Sequence, residues 1–112
     1  MTQGKFRTVL SREATAQIIE QADYYQVKSG PVLAERWRLA VRDTARSLQT
    51  MPERQRLCQF KSTSITNVRR LAIRGFPSHS LFYRVENEIV TVHILYMLHG
   101  ARDIDEFFES QT

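Results

Sequence analysis

Ser80-Leu81-Phe82-Tyr83-Arg84-Val85, then Glu86-Asn87-Glu88, then Ile89-Val90-Thr91-Val92-His93-Ile94-Leu95-Tyr96-Met97-Leu98 is the stretch on which the fold turns. Side chains alternate across a strand, so Leu81, Tyr83 and Val85 share one face while Phe82 and Arg84 take the other. The polar Glu86-Asn87-Glu88 reads as a hairpin turn. Ile89–Leu98 is apolar on both faces, which predicts the longest strand and an interior place in the sheet. Upstream, Val68–Ile73 reads as a third strand, and Gly75-Phe76-Pro77 as the turn between it and Ser80. Three antiparallel strands with a two-sided apolar member need a cover, and the first half of the chain supplies one.

That half reads as a strand followed by two helices. Phe6, Val9 and Leu10 suit a short strand over Lys5–Leu10. Ser11 is a good N-cap, and Glu13 lies where a helix dipole favours an anion. Ala14, Ile18, Ala22 and Tyr25 then recur at helical spacing through Lys28. Ser29-Gly30-Pro31 ends this helix and begins the next, which runs to about Gln49, before Pro52. Leu33, Trp37, Ala40, Val41, Thr44 and Leu48 form its apolar stripe. Arg38, Arg42 and Arg46 mark another face, either solvated or turned to a partner. So short a link predicts an antiparallel helical hairpin. Residues 53–67 are irregular, with a short strand near Leu57–Phe60. The expected fold is a small single α+β domain over residues 1–112, with a helical hairpin packed on a curved, mainly antiparallel sheet in the order β-α-α-β-β-β.

Composition narrows the function classes. The 112 residues are 42% hydrophobic and 25% charged, an ordinary balance for one folded domain. No apolar run approaches the roughly 20 residues that span a bilayer, and the N-terminus lacks the apolar stretch of a signal peptide. Neither membrane nor export is expected, and a cytoplasmic location is. Cys58 is alone, and no His, Asp, Glu and Cys set has metal-ligand spacing, so no cofactor or metal is expected. The net charge of +4 is uneven. Asp103, Asp105, Glu106 and Glu109 make the last ten residues an acidic tail, and residues 1–102 hold 16 bases against 8 acids. Most of those bases are arginines, whose planar forks pair with carboxylate and phosphate. An acidic partner, nucleic acid or protein, suits such a body.

Three segments together resemble the ParE/RelE toxin superfamily: Arg70-Leu71-Ala72-Ile73-Arg74-Gly75-Phe76-Pro77, Leu81-Phe82-Tyr83-Arg84-Val85 and Leu98-His99-Gly100-Ala101-Arg102-Asp103-Ile104. Asp23-Tyr24-Tyr25, Ser47-Leu48 and the order of elements extend the resemblance from Phe6 to about Phe107. Gly-Phe-Pro, Phe-Tyr-Arg-Val and His-Gly-Ala-Arg-Asp are most similar to the ParE-like branch of type II toxin–antitoxin systems. The resemblance implies a toxin that causes growth arrest, serves plasmid stabilization and inhibits DNA gyrase. It also implies a cognate antitoxin, ParD-like and DNA-binding, held in a hetero-oligomer.

The RelE-like alternative is a ribosome-dependent endoribonuclease acting on messenger RNA. Cleavage through the 2′-OH needs a base, an acid and cations for the phosphate. Lys61, Arg84 and His99 are the candidate catalytic set. Against it, Lys61 is the only lysine near the second strand, Glu53 is the only acid placed after the hairpin, and Gly100 rather than an aromatic follows His99. Arg38, Arg42, Arg46, Arg70, Arg84, His99 and Arg102 are the candidate residues for target or partner binding, together with the C-terminal tail. Structural readings stand beside these. Arg84 and Arg102 suit pairing with Glu86 or Asp103, His93 suits the core or the rim, and Trp37 suits the core. A non-toxic module that only binds antitoxin is the third reading.

Overall fold

The computed structural model describes residues 5–60, 66–100 and 104–110. The elements follow in the order β1 (Arg7–Leu10), α1 (Arg12–Ser29), α2 (Pro31–Ser47), β2 (Arg69–Ile73), β3 (Phe76–Glu86), β4 (Thr91–His99) and α3 (Ile104–Ser110), with one 3-10 turn at Pro52–Arg54. The strands form one sheet in the order β1-β4-β3-β2. β1 runs parallel to β4, and the other two pairings are antiparallel. β4 is thus interior, as its apolar faces require.

Ser11 ties the first helix to the sheet. Its Oγ accepts the Ala14 N–H at 2.9 Å, while its hydroxyl donates to the Leu95 carbonyl and its N–H to the Ile94 carbonyl. The helix start and the centre of β4 are therefore fixed by one residue. Gly30 closes the helix at φ 94°, a left-handed value that a side chain would strain, and Pro31 opens α2. The hairpin so formed lies on one face of the sheet. Trp37 is fully buried among Ala14, Ala22, Val41, Leu81, Tyr83 and Ile94. Its indole N–H donates to the Ile18 carbonyl at 3.0 Å, which leaves the ring's polar end satisfied. Tyr83 donates its buried hydroxyl to the Pro52 carbonyl at 2.7 Å and pins the segment after α2 to the sheet. The alternation read at residues 81–85 holds: Leu81, Tyr83 and Val85 pack beneath the hairpin, and Phe82 packs on the opposite face.

Several expectations are corrected. Gly75-Phe76-Pro77 is not the turn. Arg74 and Gly75 make it, with Gly75 at φ 79°, and β3 already begins at Phe76. Phe76 is drawn in because its ring meets Trp37 at 5.1 Å and Tyr25 at 5.7 Å. Pro77 is tolerated because it precedes the first β3–β4 pair, His79 with His99, so no ladder bond to β4 is lost. β3 therefore has 11 residues against 9 in β4, which reverses the expected order of strand lengths. Ile89 and Val90 belong to the hairpin turn and are exposed. β1 covers only Arg7–Leu10, and the expected strand near Leu57–Phe60 is a single bridge from Leu57 to Arg69.

Most of the acidic tail takes helical form. Residues 104–110 form α3, with Ile104 and Phe108 buried against Val68 and Phe82 on the face away from the hairpin. Phe107 meets Tyr96 at 4.8 Å, and Phe60 meets Phe108 at 4.6 Å. The spacing of Ile104, Phe107 and Phe108 is that of one helical face, which the charge count had hidden. No helix among the described residues is long and apolar enough to cross a membrane.

Candidate functional site

Of the candidate catalytic set, Arg84 and His99 do not come together. Lys61 lies outside the described residues, as does Arg102. Arg84 pairs with His93 in the β3–β4 register, whereas His99 pairs with His79. Five residues of β3 separate those two levels, about 16 Å at the usual strand rise. The faces differ too. Arg84 alternates with Tyr83 and so shares the α3 face with Phe82. His99 stacks on His79 at 4.5 Å, and His79 meets Trp37 at 4.8 Å beneath the hairpin. Arg84 spends its Nε on the Thr66 carbonyl at 3.1 Å, holding the segment that leads into β2. The expected pairing with Glu86 is absent among the described residues. Instead Glu86 Oε1 lies 3.0 Å from His93 Nε2, without hydrogen-bond geometry, which puts His93 at the rim of the sheet.

His79 is the residue that sequence reading missed. It stands two residues before Leu81 on the same strand face, and that parity was the available signal. It is 5% exposed, and its Nδ1 has no hydrogen-bond partner among the described residues. Burial, and then repulsion from His99, lowers its pKa from 6.5 to about 4, so it is neutral at physiological pH. Gln21, Tyr24, Tyr25, His79 and His99 line a pocket of about 330 Å³ at the far end of α1. No Arg or Lys is among them. Among the described lining residues, phosphate charge developing there would meet no cation. Among the described residues no three His, Cys, Asp or Glu side chains converge on a metal-sized space.

The three arginines of α2 do come together. Arg38, Arg42 and Arg46 rim a groove of about 370 Å³ whose floor is Leu10, Ile18, Ile19, Val41 and Ala45. The edge strand β1 and the two helices form its walls. Arg38 pairs with Glu35 at 3.5 Å and Arg42 with Asp43 at 3.7 Å. All four side chains are half exposed or more, so these contacts yield readily to a competing carboxylate. Ile19 at 55% exposed and Leu10 at 41% leave the floor open to a partner.

Arg70 stands at the other edge of the sheet. Its Nε donates to Ser80 Oγ at 3.1 Å, and its guanidinium lies 5.6 Å from the centre of the Phe82 ring. It borders a cleft of about 570 Å³ shared with Arg54, Arg56 and Cys58. Burial pushes the Cys58 thiol up, against a smaller pull from Arg70, so the thiol is not an activated nucleophile.

This fold, a helical hairpin on a four-stranded sheet, has counterparts among solved structures. A chain of the chromosomal ParDE toxin–antitoxin system from P. aeruginosa superposes with a TM-score of 0.68 at 20% identity, covering 87% of this chain and 98% of that one. A chain of a RelBE toxin–antitoxin complex from Mycobacterium tuberculosis gives 0.57 at 21% identity, covering 85% and 98%. At such identities the likeness concerns the fold. No curated protein sequence matches significantly. The family model for the ParE toxin of the parDE type II toxin–antitoxin system matches residues 8–104. With nearly all of the sheet and both long helices inside that match, the chain belongs to the ParE toxin family of type II toxin–antitoxin systems.

Proposed function

We propose that the chain arrests growth by inhibiting DNA gyrase through binding alone, in the cytoplasm, and that a cognate ParD-like antitoxin neutralises it in a hetero-oligomer. The observation that carries the first part is the separation of Arg84 from His99, on opposite faces and about 16 Å apart along β3. A nuclease of the RelE kind needs its base, acid and cations around one phosphate. Antitoxin-free chain added to gyrase, ATP and relaxed plasmid is expected to abolish supercoiling and accumulate cleaved plasmid. His99→Ala is expected to keep that activity within about threefold, an effect below 1 kcal/mol. Normal supercoiling in the presence of a folded, growth-arresting chain would overturn the reading and turn attention to messenger RNA.

The groove on α2 supports the second part. An apolar floor with a basic rim suits an amphipathic segment that carries carboxylates, laid across the hairpin and able to add a strand to β1. Charge reversal of Arg38, Arg42 and Arg46 together is expected to weaken antitoxin binding roughly 100-fold at 0.1 M salt and to flatten its salt dependence. Calorimetric titration of the purified pair measures both. Affinity unchanged in the triple variant would place the antitoxin elsewhere.

A further inference from the structure

From Arg54 to Val85 the chain contains no Asp or Glu, while Arg54, Arg56, Lys61, Arg69, Arg70, Arg74 and Arg84 supply seven bases. The topology brings the described part of this segment to one edge of the sheet, because β2 is the outer strand and β3 lies beside it. Two of the arginines are held by several contacts each, while Arg70 and Arg84 give their Nε to Ser80 Oγ and to the Thr66 carbonyl. Arg54 donates to the carbonyls of Ser47 at 3.4 Å, at the end of α2, and of Thr50 at 2.7 Å and Met51 at 3.2 Å just beyond it. Arg69 donates to the Glu53 and Gln55 carbonyls and reaches the Glu53 carboxylate at 3.8 Å. Arg56, Arg70, Arg74 and Arg84 are exposed and form no ion pair among the described residues.

Their placement is not scattered. Arg70 pairs with Phe82 in the β2–β3 register, so Arg84, two residues further on β3, is its diagonal neighbour on the same face, roughly 7–8 Å away. Arg70 and Arg56 line the same open cleft between β2 and the preceding segment. Arg74 continues the line at the β2–β3 turn. A row of uncompensated guanidinium groups along an outer strand, with an open cleft beside it, fits a partner of dense, regular negative charge. A folded protein rarely offers that density, whereas duplex DNA carries one charge per roughly 1.7 Å of axis.

We propose that the β2 edge binds the phosphodiester backbone of duplex DNA, independently of sequence, through Arg56, Arg70, Arg74 and Arg84. The setting rests on the gyrase reading, in which the inhibited enzyme holds cut DNA. The toxin then touches the DNA as well as the enzyme, on the side of the sheet away from the β1 edge and its antitoxin groove.

Binding is measured without gyrase, by fluorescence anisotropy of a labelled 20-base-pair duplex titrated with antitoxin-free chain from 50 to 200 mM salt. Four phosphate contacts predict a slope of log affinity against log salt of about −3 to −4. Arg56→Glu/Arg74→Glu is expected to weaken binding at least tenfold at 50 mM salt, with Arg56→Glu/Arg70→Glu as a second variant. Arg38→Glu/Arg42→Glu, the same charge change on the hairpin, is expected to cost less than threefold. Equal losses in the hairpin and edge variants would reduce the effect to net charge and overturn the proposal, as would no binding at 50 mM salt. Tenfold preference for single-stranded RNA would overturn it in favour of RNA. Because the assay contains no gyrase, a negative result leaves the supercoiling experiment to judge the gyrase reading separately.

Discussion

Replacing Trp37 with alanine is expected to lower the unfolding free energy by about 3–5 kcal/mol. The ring is fully buried and lies at the crossing of α1, α2 and the sheet. It meets Tyr25 at 5.7 Å, Phe76 at 5.1 Å and His79 at 4.8 Å, each with tilted or edge-on geometry that adds to simple area burial. Truncation opens a cavity among these rings and removes the indole hydrogen bond to the Ile18 carbonyl. A domain of this size has a total stability of about 5–15 kcal/mol, so the variant sits near the unfolding threshold. Equilibrium urea denaturation measures the change. Trp37→Phe, which keeps most of the volume, should lose about 1–2 kcal/mol, and Leu39→Ala, on the exposed side of the same helix, less than 1 kcal/mol. A loss below 1.5 kcal/mol for Trp37→Ala would mean that the hairpin and sheet are not joined through this ring.

The second large effect is a loss of stability on mild acidification. Folding holds His79 neutral down to about pH 4, whereas the unfolded chain binds a proton near 6.5. Below pH 6.5 the unfolded state therefore carries more protons, and stability falls as pH falls. The contribution is fully present above pH 6.5 and fully lost at about pH 4, where the cost reaches about 3 kcal/mol. Desolvation is the larger cause and the neighbouring His99 the smaller one. His79→Gln should remove this slope, and His99→Gln should reduce it slightly. Urea midpoints of wild type and His79→Gln between pH 7 and 4.5 test the idea. Parallel curves would exclude His79 as the titrating group.

Both effects act at the seam between hairpin and sheet, and the same seam decides the functional reading. His99 remains exposed at its rim and stacks on His79, which lies against Tyr25 and Trp37. It is thereby turned away from Arg84, which holds a loop carbonyl on the opposite face. A histidine and an arginine that look like catalytic partners in the sequence thus lie on opposite faces of the sheet.

The sequence alone determined the helical hairpin, its Gly30-Pro31 joint, the Ser11 cap and the alternation at residues 81–85. Each depends on contacts within a few residues, so local spacing reveals it. The family, too, was legible, because its motifs sit on those elements. The tertiary structure decided the rest. Phe76 joined β3 rather than a turn because aromatic rings from two helices were waiting for it. Ile104, Phe107 and Phe108 became a helical face because Phe82, Tyr96 and Phe60 present a matching patch from distant parts of the chain. The buried, neutral state of His79 and the grouping of basic side chains at the β2 edge depend on strand register and sheet order. Those are long-range pairings, which neighbouring residues along the chain do not encode.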